Sequence, residues 1–307
     1  MSSAAILIEN LVKSFETQPV LRDVSLSIPS GQTFALLGRN GAGKTTMIRI
    51  LLGLIPADSG TIQLMGLDPA ESPLEVRRRV GYLAEDQTMY GWMTATELCR
   101  FLEAFYPTWD RPWARQCLDR FEIPPHTRIA RLSKGQTVKL GLAVAVAHRP
   151  PVVILDDPSM GLDPIARKEF NRDLVEHLQS SGCTVLYSSH LLDEVESVAD
   201  AVAILHQGRI VRCGATESLR DEVKQFVLTV DSIAGMVPPA GLLDVRRHDD
   251  RLVFVADQAD RWMQQFNSRQ IDHEVTDLSL DEIFQAFVIG RTEGWPSQSV
   301  QAAPIAI

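Results

Sequence analysis

The chain has 307 residues, 45% of them hydrophobic, and a formal net charge of −9. That length suits roughly two domains, each with its own buried core. The acidic balance argues against a general nucleic-acid binder, which needs a basic stripe to neutralise phosphates, yet it leaves room for a small basic pocket.

Strand patterns come first. Ile6–Ile8, the alternating Val24–Ile28 and then Gln32–Leu37 are separated by Pro and Gly. The next segment, Gly38-Arg39-Asn40-Gly41-Ala42-Gly43-Lys44-Thr45-Thr46, matches G-x-x-x-x-G-K-[ST] in full and leads into a helical pattern over Thr46–Leu54. Glycines let such a loop curl so that its N–H groups face a phosphate, and the following helix adds its positive end. Lys44 is expected to reach the β- and γ-phosphates of a nucleotide, and the Thr45 hydroxyl to sit on Mg²⁺. Gly60–Leu64 and Val80–Leu83 read as short strands.

From about Thr94 to Arg131 the pattern turns helical and rich in aromatics (Phe101, Phe105, Tyr106, Trp109, Trp113, Phe121), which reads as an insertion into an α/β core. Most of these rings are expected to pack that subdomain, with some free to receive a partner. Strands return at Val152–Leu155, Thr184–Tyr187 and Ala201–Leu205, separated by helical stretches, so a mostly parallel sheet is expected. The first of these ends in Asp156-Asp157, and downstream of a complete phosphate loop such a strand places one carboxylate, here Asp156, near a magnesium ion. Beyond Thr216, strands at Gln225–Val230 and Leu243–Ala256, with a turn at His248–Asp250, alternate with helices at Asp260–Asn267 and Leu280–Val288, a small α+β appendage. Residues 294–307, rich in Pro, Ser, Gln and Ala, are expected to be disordered.

The four cysteines, Cys99, Cys117, Cys183 and Cys213, form no Cys-x-x-Cys pair, so neither a zinc site nor a disulfide framework is expected and a reducing compartment fits. The longest apolar stretch, Leu140–Ala147, falls far short of the ~20 residues of a membrane helix, and Met1–Ala5 has no basic start for a secretory signal.

Taken in order, these segments resemble the ATPases of ABC transporters. Leu132-Ser133-Lys134-Gly135-Gln136 is similar to their signature motif, with Lys134 where a glycine is usual. Met160-Gly161-Leu162-Asp163 resembles the D-loop, Ser189-His190 the switch histidine, and Phe15 the aromatic that stacks on adenine. The resemblance covers about residues 6–215. It implies an α/β phosphate-loop NTPase core with a mostly parallel sheet, an antiparallel β subdomain and a helical insertion over about residues 88–131. The ATPase domain would span 1–217 and an accessory α+β domain 218–292.

It also implies roles for individual residues. Gly38, Asn40, Gly41, Ala42, Gly43, Lys44, Thr45 and Thr46 would cradle ATP, with Thr45, Glu85 and Asp156 around Mg²⁺ and Asp157, His190 and Glu85 serving hydrolysis. Ser133, Gly135, Gln136 and Asp163 would complete the nucleotide site across a head-to-tail dimer. The expected partner is a separate membrane permease at the cytoplasmic face, with a homodimer favoured, a heterodimer possible and no nucleic acid. Phe105–Asp110, with Leu-Ser-Lys-Gly and Leu-Asp-Asp-Pro, resembles the ABC-2 exporter branch linked to peptide-antibiotic resistance, and Leu278–Phe284 resembles the end of an accessory domain common there.

Two positions depart from the usual pattern. Glu85 stands where the Q-loop has glutamine, and Asp157 where the family places its catalytic glutamate. One methylene fewer withdraws a carboxylate by ~1.5 Å, and a misplacement near 1 Å costs on the order of 100-fold in rate. Either the backbone compensates, or the chain is mainly an ATP-binding regulatory half that pairs with a complete subunit. A third reading, a soluble ABC protein acting on ribosomes or DNA, lacks the paired ATPase halves or long coiled coils it requires.

Overall fold

In the computed structural model, residues 4–178, 182–190, 192–233, 236–238, 240–293 and 295 are described. The chain divides into two compact units between Cys213 and Gly214.

The first unit begins with β1 (Ala4–Phe15), β2 (Gln18–Pro29), β3 (Thr33–Leu37), α1 (Lys44–Leu51) and β4 (Ser59–Leu64). It continues with α2 (Pro73–Arg79), β5 (Val80–Leu83), α3 (Ala95–Glu103), α4 (Arg111–Arg120) and α5 (Lys134–Val146). Then come β6 (Val152–Asp156), α6 (Pro164–Leu178), β7 (Thr184–Ser189), α7 (Leu192–Glu196), β8 (Ala201–His206) and β9 (Arg209–Ala215), the last running across the division. The main sheet has the order β5-β6-β7-β3-β8-β9, and the pairs β5/β6, β6/β7, β7/β3 and β3/β8 are parallel.

Parallel strands covered on both faces must be apolar throughout. Accordingly β3, β6 and β7 are buried at every position. A second, antiparallel sheet, β2-β1-β4, shows the alternation of a sheet with one face on the core. Its inward residues Ile6, Ile8, Leu11, Val24 and Ile28 join α1 and the main sheet in one core. The sequence pattern underestimated β1, because its opening apolar run stops at Glu9-Asn10. It missed β9, which follows β8 through Gln207-Gly208, both at positive φ (48° and 76°), the pair of angles a tight hairpin requires.

In the helical insertion, α3 starts with a capping box between Thr94 and Glu97, and α4 with Asp110, whose carboxylate accepts from Trp113 N at 2.9 Å. The Phe105–Asp110 segment fastens onto the far end of α5. Thr108 Oγ1 donates to His148 O (2.9 Å), Asp110 N to Ala147 O (2.9 Å), and Tyr106 stacks on His148 with ring centroids 4.2 Å apart. Arg149 pairs with Asp110 (3.1 Å) and lies over Trp113 (3.9 Å). The aromatics therefore split: Tyr106 and Trp113 pack, whereas Phe101 and Phe105 stay exposed in a chain of touching rings with Tyr90 and Trp92.

The second unit contains α8 (Thr216–Glu222), β10 (Lys224–Thr229), β11 (Leu242–His248), β12 (Arg251–Ala256), α9 (Ala259–Ser268), β13 (Glu274–Asp277) and α10 (Leu280–Ile289). Its sheet is antiparallel, with the order β11-β12-β10-β13. Phe226, Phe254, Trp262 and Phe266 form its aromatic core. Trp295, inside the segment expected to be disordered, is buried against Phe254 and Trp262 and donates from Nε1 to Met236 O at 2.8 Å. Residues 294 and 296–307 of that segment lie outside the described residues. No helix among the described residues is long and apolar enough to cross a membrane.

Candidate functional site

The phosphate loop leaves the C-terminal end of β3, in the middle of the parallel sheet, and enters α1 at Lys44. Two of its glycines are required by the fold. Gly43 caps α1 with φ 111°, and a Cβ there would lie 2.8 Å from Leu21 Cδ2. A Cβ on Gly38 would lie 2.8 Å from Leu205 O of β8. The chain can pass between these neighbours only without side chains. Asn40 and Gly41 are exposed there, Ala42 and Gly43 are buried, and Thr45 and Thr46 are half-buried on the first turn of α1.

Lys44 is 6% exposed, so its ammonium must be met. It donates to Gly38 O at 2.7 Å and lies 3.6 Å from Asp157 Oδ2. Both acceptors are within the site itself, so the cation is held at the loop's mouth.

The carboxylates come from the end of β6. Asp156 Oδ1 accepts from Ser188 Oγ (2.7 Å) and Thr45 Oγ1 (3.3 Å), while its Oδ2 is buried with no partner. Burial pushes the Asp156 carboxyl above the ordinary carboxylate range, and Asp157 adds to this, while the Ser188 and Thr45 hydroxyls pull it down. An unpartnered carboxylate oxygen beside a threonine hydroxyl is an all-oxygen donor set, which fits a hard divalent cation such as Mg²⁺.

Asp157 adopts a left-handed backbone, φ 46°, uncommon for a residue with a side chain. Its N–H donates to Ser188 Oγ (3.0 Å) and Ser188 O (3.1 Å), which fixes this turn. Its carboxylate then reaches both Lys44 and His190, whose Nδ1 lies 2.7 Å from Asp157 Oδ1. Glu85 lies just beyond β5, within electrostatic reach of the same cluster. Partial burial, then Asp157, Asp156 and Asp86, raise its carboxyl above the usual range, and Lys44 opposes them. Sequence pattern alone assigns Ser188 no role, although it holds both aspartates. Its only signal was the small polar run Ser188-Ser189-His190 where an apolar strand ends.

The remaining predicted residues stand apart from this cluster. Ser133 caps α5: its Oγ accepts from Gln136 N (3.1 Å), and Gln136 Oε1 accepts from Ser133 N (3.0 Å). The hydroxyl hydrogen of Ser133 is left to donate outward. Lys134 extends over Gly161, where a Cβ would overlap its ammonium. Asp163 Oδ1 accepts from Ile165 N (2.9 Å) and Ala166 N (3.0 Å), and these bonds hold its carboxyl below the usual range. Phe15 is 47% exposed, with Lys13 Nζ 5.4 Å from its ring centroid. Among the described residues, no hydrogen bond or ion pair joins Ser133, Gly135, Gln136 or Asp163 to the loop 38–46.

A family profile described as "ABC transporter" matches residues 21–160. The chain is 31% identical over 227 residues to the ABC transporter ATP-binding protein YtrB of Bacillus subtilis (strain 168), covering 74% of this chain and 77% of that protein. It is 33% identical over 211 residues to the bacitracin transport ATP-binding protein BcrA of Bacillus licheniformis, covering 68% and 69%. Among solved structures, an ATP-binding subunit of an ABC transporter superposes with a TM-score of 0.64 at 30% identity, over 71% of this chain and 92% of that one. The phosphate loop, the paired aspartates on a parallel strand and these likenesses agree: the chain belongs to the ATP-binding subunits of ABC transporters.

Proposed function

We propose that this chain hydrolyses ATP to drive an ABC-2 type exporter, as a head-to-tail dimer under a separate membrane permease at the cytoplasmic face. The reading takes residues 1–217 as the ATPase domain, with 88–131 as its helical subdomain, and 218–292 as an accessory domain. The observation that carries it is the meeting of Lys44, Asp156, Asp157 and His190 at one loop.

In this reading Lys44 exchanges Gly38 O and Asp157 for the β- and γ-phosphates, which the loop amides and the positive end of α1 also hold. Asp156, Thr45 and Glu85 would hold Mg²⁺, whose chemistry is to neutralise charge on the phosphates. Once Lys44 has turned to phosphate, Asp157 is free to accept a proton from an attacking water while His190 fixes its carboxylate. The side chain of Phe15 offers an exposed face to adenine.

Ser133, Gly135, Gln136 and Asp163 are unconnected to their own chain's loop, and this suits a site completed by a second copy. The Ser133 hydroxyl and the start of α5 would donate to the γ-phosphate there, so that ATP joins the two copies and hydrolysis frees them. The exposed rings of Tyr90, Trp92, Phe101 and Phe105 supply an apolar surface for the membrane subunit. Similarity to a bacitracin transport protein supports a role in transport.

The left-handed turn at Asp157 supports a carboxylate positioned for catalysis despite its shorter side chain. The second reading, a mainly ATP-binding regulatory half, keeps the same site with slow chemistry. Turnover of the purified chain with Mg-ATP separates them. The exporter reading expects hydrolysis that is lost on Lys44→Ala and persists or rises on Asp157→Glu. An inactive wild type that gains activity on Asp157→Glu would favour the regulatory half.

A further inference from the structure

The second unit leaves part of one sheet face uncovered. Along β10 and β12, Phe226, Leu252 and Phe254 turn toward α9 in the aromatic core. Successive strand side chains alternate, so Gln225, Val253 and Val255 point to the opposite face. Helix α10 crosses that face. It starts after β13, at one edge of the sheet, and ends at β11, the other edge, where a Cβ on Gly290 would overlap Leu243 O. A helix with its side chains is about 10 Å wide, whereas a six-residue strand such as β12 is about 20 Å long. One helix is too narrow to cover the face, and beside α10 lies a groove of about 750 Å³.

The groove has an apolar floor, formed by Val253, Val255 and Ala286, and a polar rim whose charges are unequally committed. Asp244 is spent within the fold: Oδ1 accepts from Arg291 N (2.9 Å) and Oδ2 from Arg246 Nε (3.0 Å). Glu282 of α10 is spent likewise, its Oε2 accepting from Ser279 N (2.9 Å) and Ser279 Oγ (2.8 Å). The donors are not. Among the described residues, the Arg291 guanidinium and the Gln225 carboxamide meet no partner. Arg246 engages Asp244 through Nε alone, which leaves its two terminal nitrogens. Anionic groups of the rim are thus satisfied internally, while guanidinium N–H groups remain over.

Clefts of roughly 300–1,000 Å³ with an apolar lining and a few polar groups suit small ligands. We propose that this groove binds a soluble amphiphilic carboxylate, its head held by Arg246 and Arg291 and its apolar body laid along Val253, Val255 and Ala286. The planar guanidinium fork matches a carboxylate, and the valine floor, extended by the exposed Ile289, removes the tail from water. A cationic head would meet two like charges there. A bilayer presents a broad flat surface, whereas the recess beside α10 suits a single molecule. The site uses no residue of the phosphate loop, so it gives the second unit a ligand of its own.

The test titrates the full chain with sodium dodecanoate below its micellar concentration by calorimetry, with dodecylammonium and uncharged dodecyl maltoside as controls. The wild type binds dodecanoate, which raises its Tm, and takes neither control with comparable affinity. Arg246→Gln and Arg291→Gln each weaken binding about ten- to a hundredfold, the loss of a charge-assisted hydrogen bond. Val253→Asp, which sets a carboxylate in the floor, weakens it further. Both arginines are exposed, so the two glutamine variants keep the ligand-free Tm of the wild type. Absence of dodecanoate binding by the wild type overturns the proposal. Equal affinity for dodecylammonium does so too, as does unchanged affinity in both arginine variants. Flotation with phosphatidylglycerol vesicles that depends on Arg246 and Arg291, without binding of free dodecanoate, would assign the groove to a membrane surface and overturn it as well. Mg-ATP affinity, measured on the same proteins, stays constant throughout, so a failure of the nucleotide reading is recognised separately.

Discussion

His190 Nδ1 lies 2.7 Å from Asp157 Oδ1, while the other oxygen of the same carboxylate faces Lys44 Nζ at 3.6 Å. One short side chain thus connects the end of β7 to the phosphate loop. His190 leaves Asp157 one oxygen to work with, and its own ring orientation is set by this bond.

Replacing His190 by alanine should therefore impair chemistry more than binding. We expect kcat to fall about 100- to 10,000-fold, the usual range for a positioned acid–base group, with Kd for Mg-ATP changed only a few-fold. Single-turnover hydrolysis alongside equilibrium binding measures both. Equal loss in the two would place His190 in the binding step.

Ser188 holds both aspartates, donating to Asp156 Oδ1 and accepting from Asp157 N. In Ser188→Ala, Asp156 Oδ1 keeps only the longer contact from Thr45. A buried acceptor losing its partner costs about 1–3 kcal/mol. Urea unfolding should show this loss in the nucleotide-free protein, and Mg²⁺ should restore part of it. Stability insensitive to Ser188→Ala would mean that the turn holds itself.

Gly43→Ala meets two obstacles at once, a φ of 111° and the Leu21 side chain. Strained backbone of this kind costs about 1–3 kcal/mol. Calorimetry should show a lower Tm, and nucleotide affinity should drop because the loop cannot keep its turn into α1. A protein that keeps wild-type affinity would contradict the cradle described here.

Burial holds His148 down to about 4, below its ordinary 6.5. Between those values the unfolded chain takes up a proton that the folded chain refuses, so stability is lost as pH falls through 6.5 toward 4. The expected loss between pH 7 and pH 5 is about 2 kcal/mol. His148→Leu should flatten this acid limb in urea titrations. An unchanged slope would move the effect to another group.

Local order was legible because it is written in short-range chemistry. The run Gly38–Thr46, the apolar strands ending at Leu37 and Asp156, and the paired carboxylates each declare themselves within a few residues. Strand alternation exposed the hairpin formed by β11 and β12, and helix caps such as Ser279 with Glu282 sit where the pattern begins. What the sequence determined by itself was therefore the phosphate cradle, the parallel core and the family.

The tertiary structure decided which distant groups meet. Strand order, which no local pattern encodes, sets β7 between β6 and β3, and this alone brings Ser188 and His190 to Asp156 and Asp157. The left-handed turn at Asp157 is fixed by Ser188, 31 residues away in sequence. The Gln87 carboxamide packs against α5 only because Gly141 stands opposite it. Such contacts depend on long-range closure of the sheet and its helices, where packing rather than propensity makes the choice.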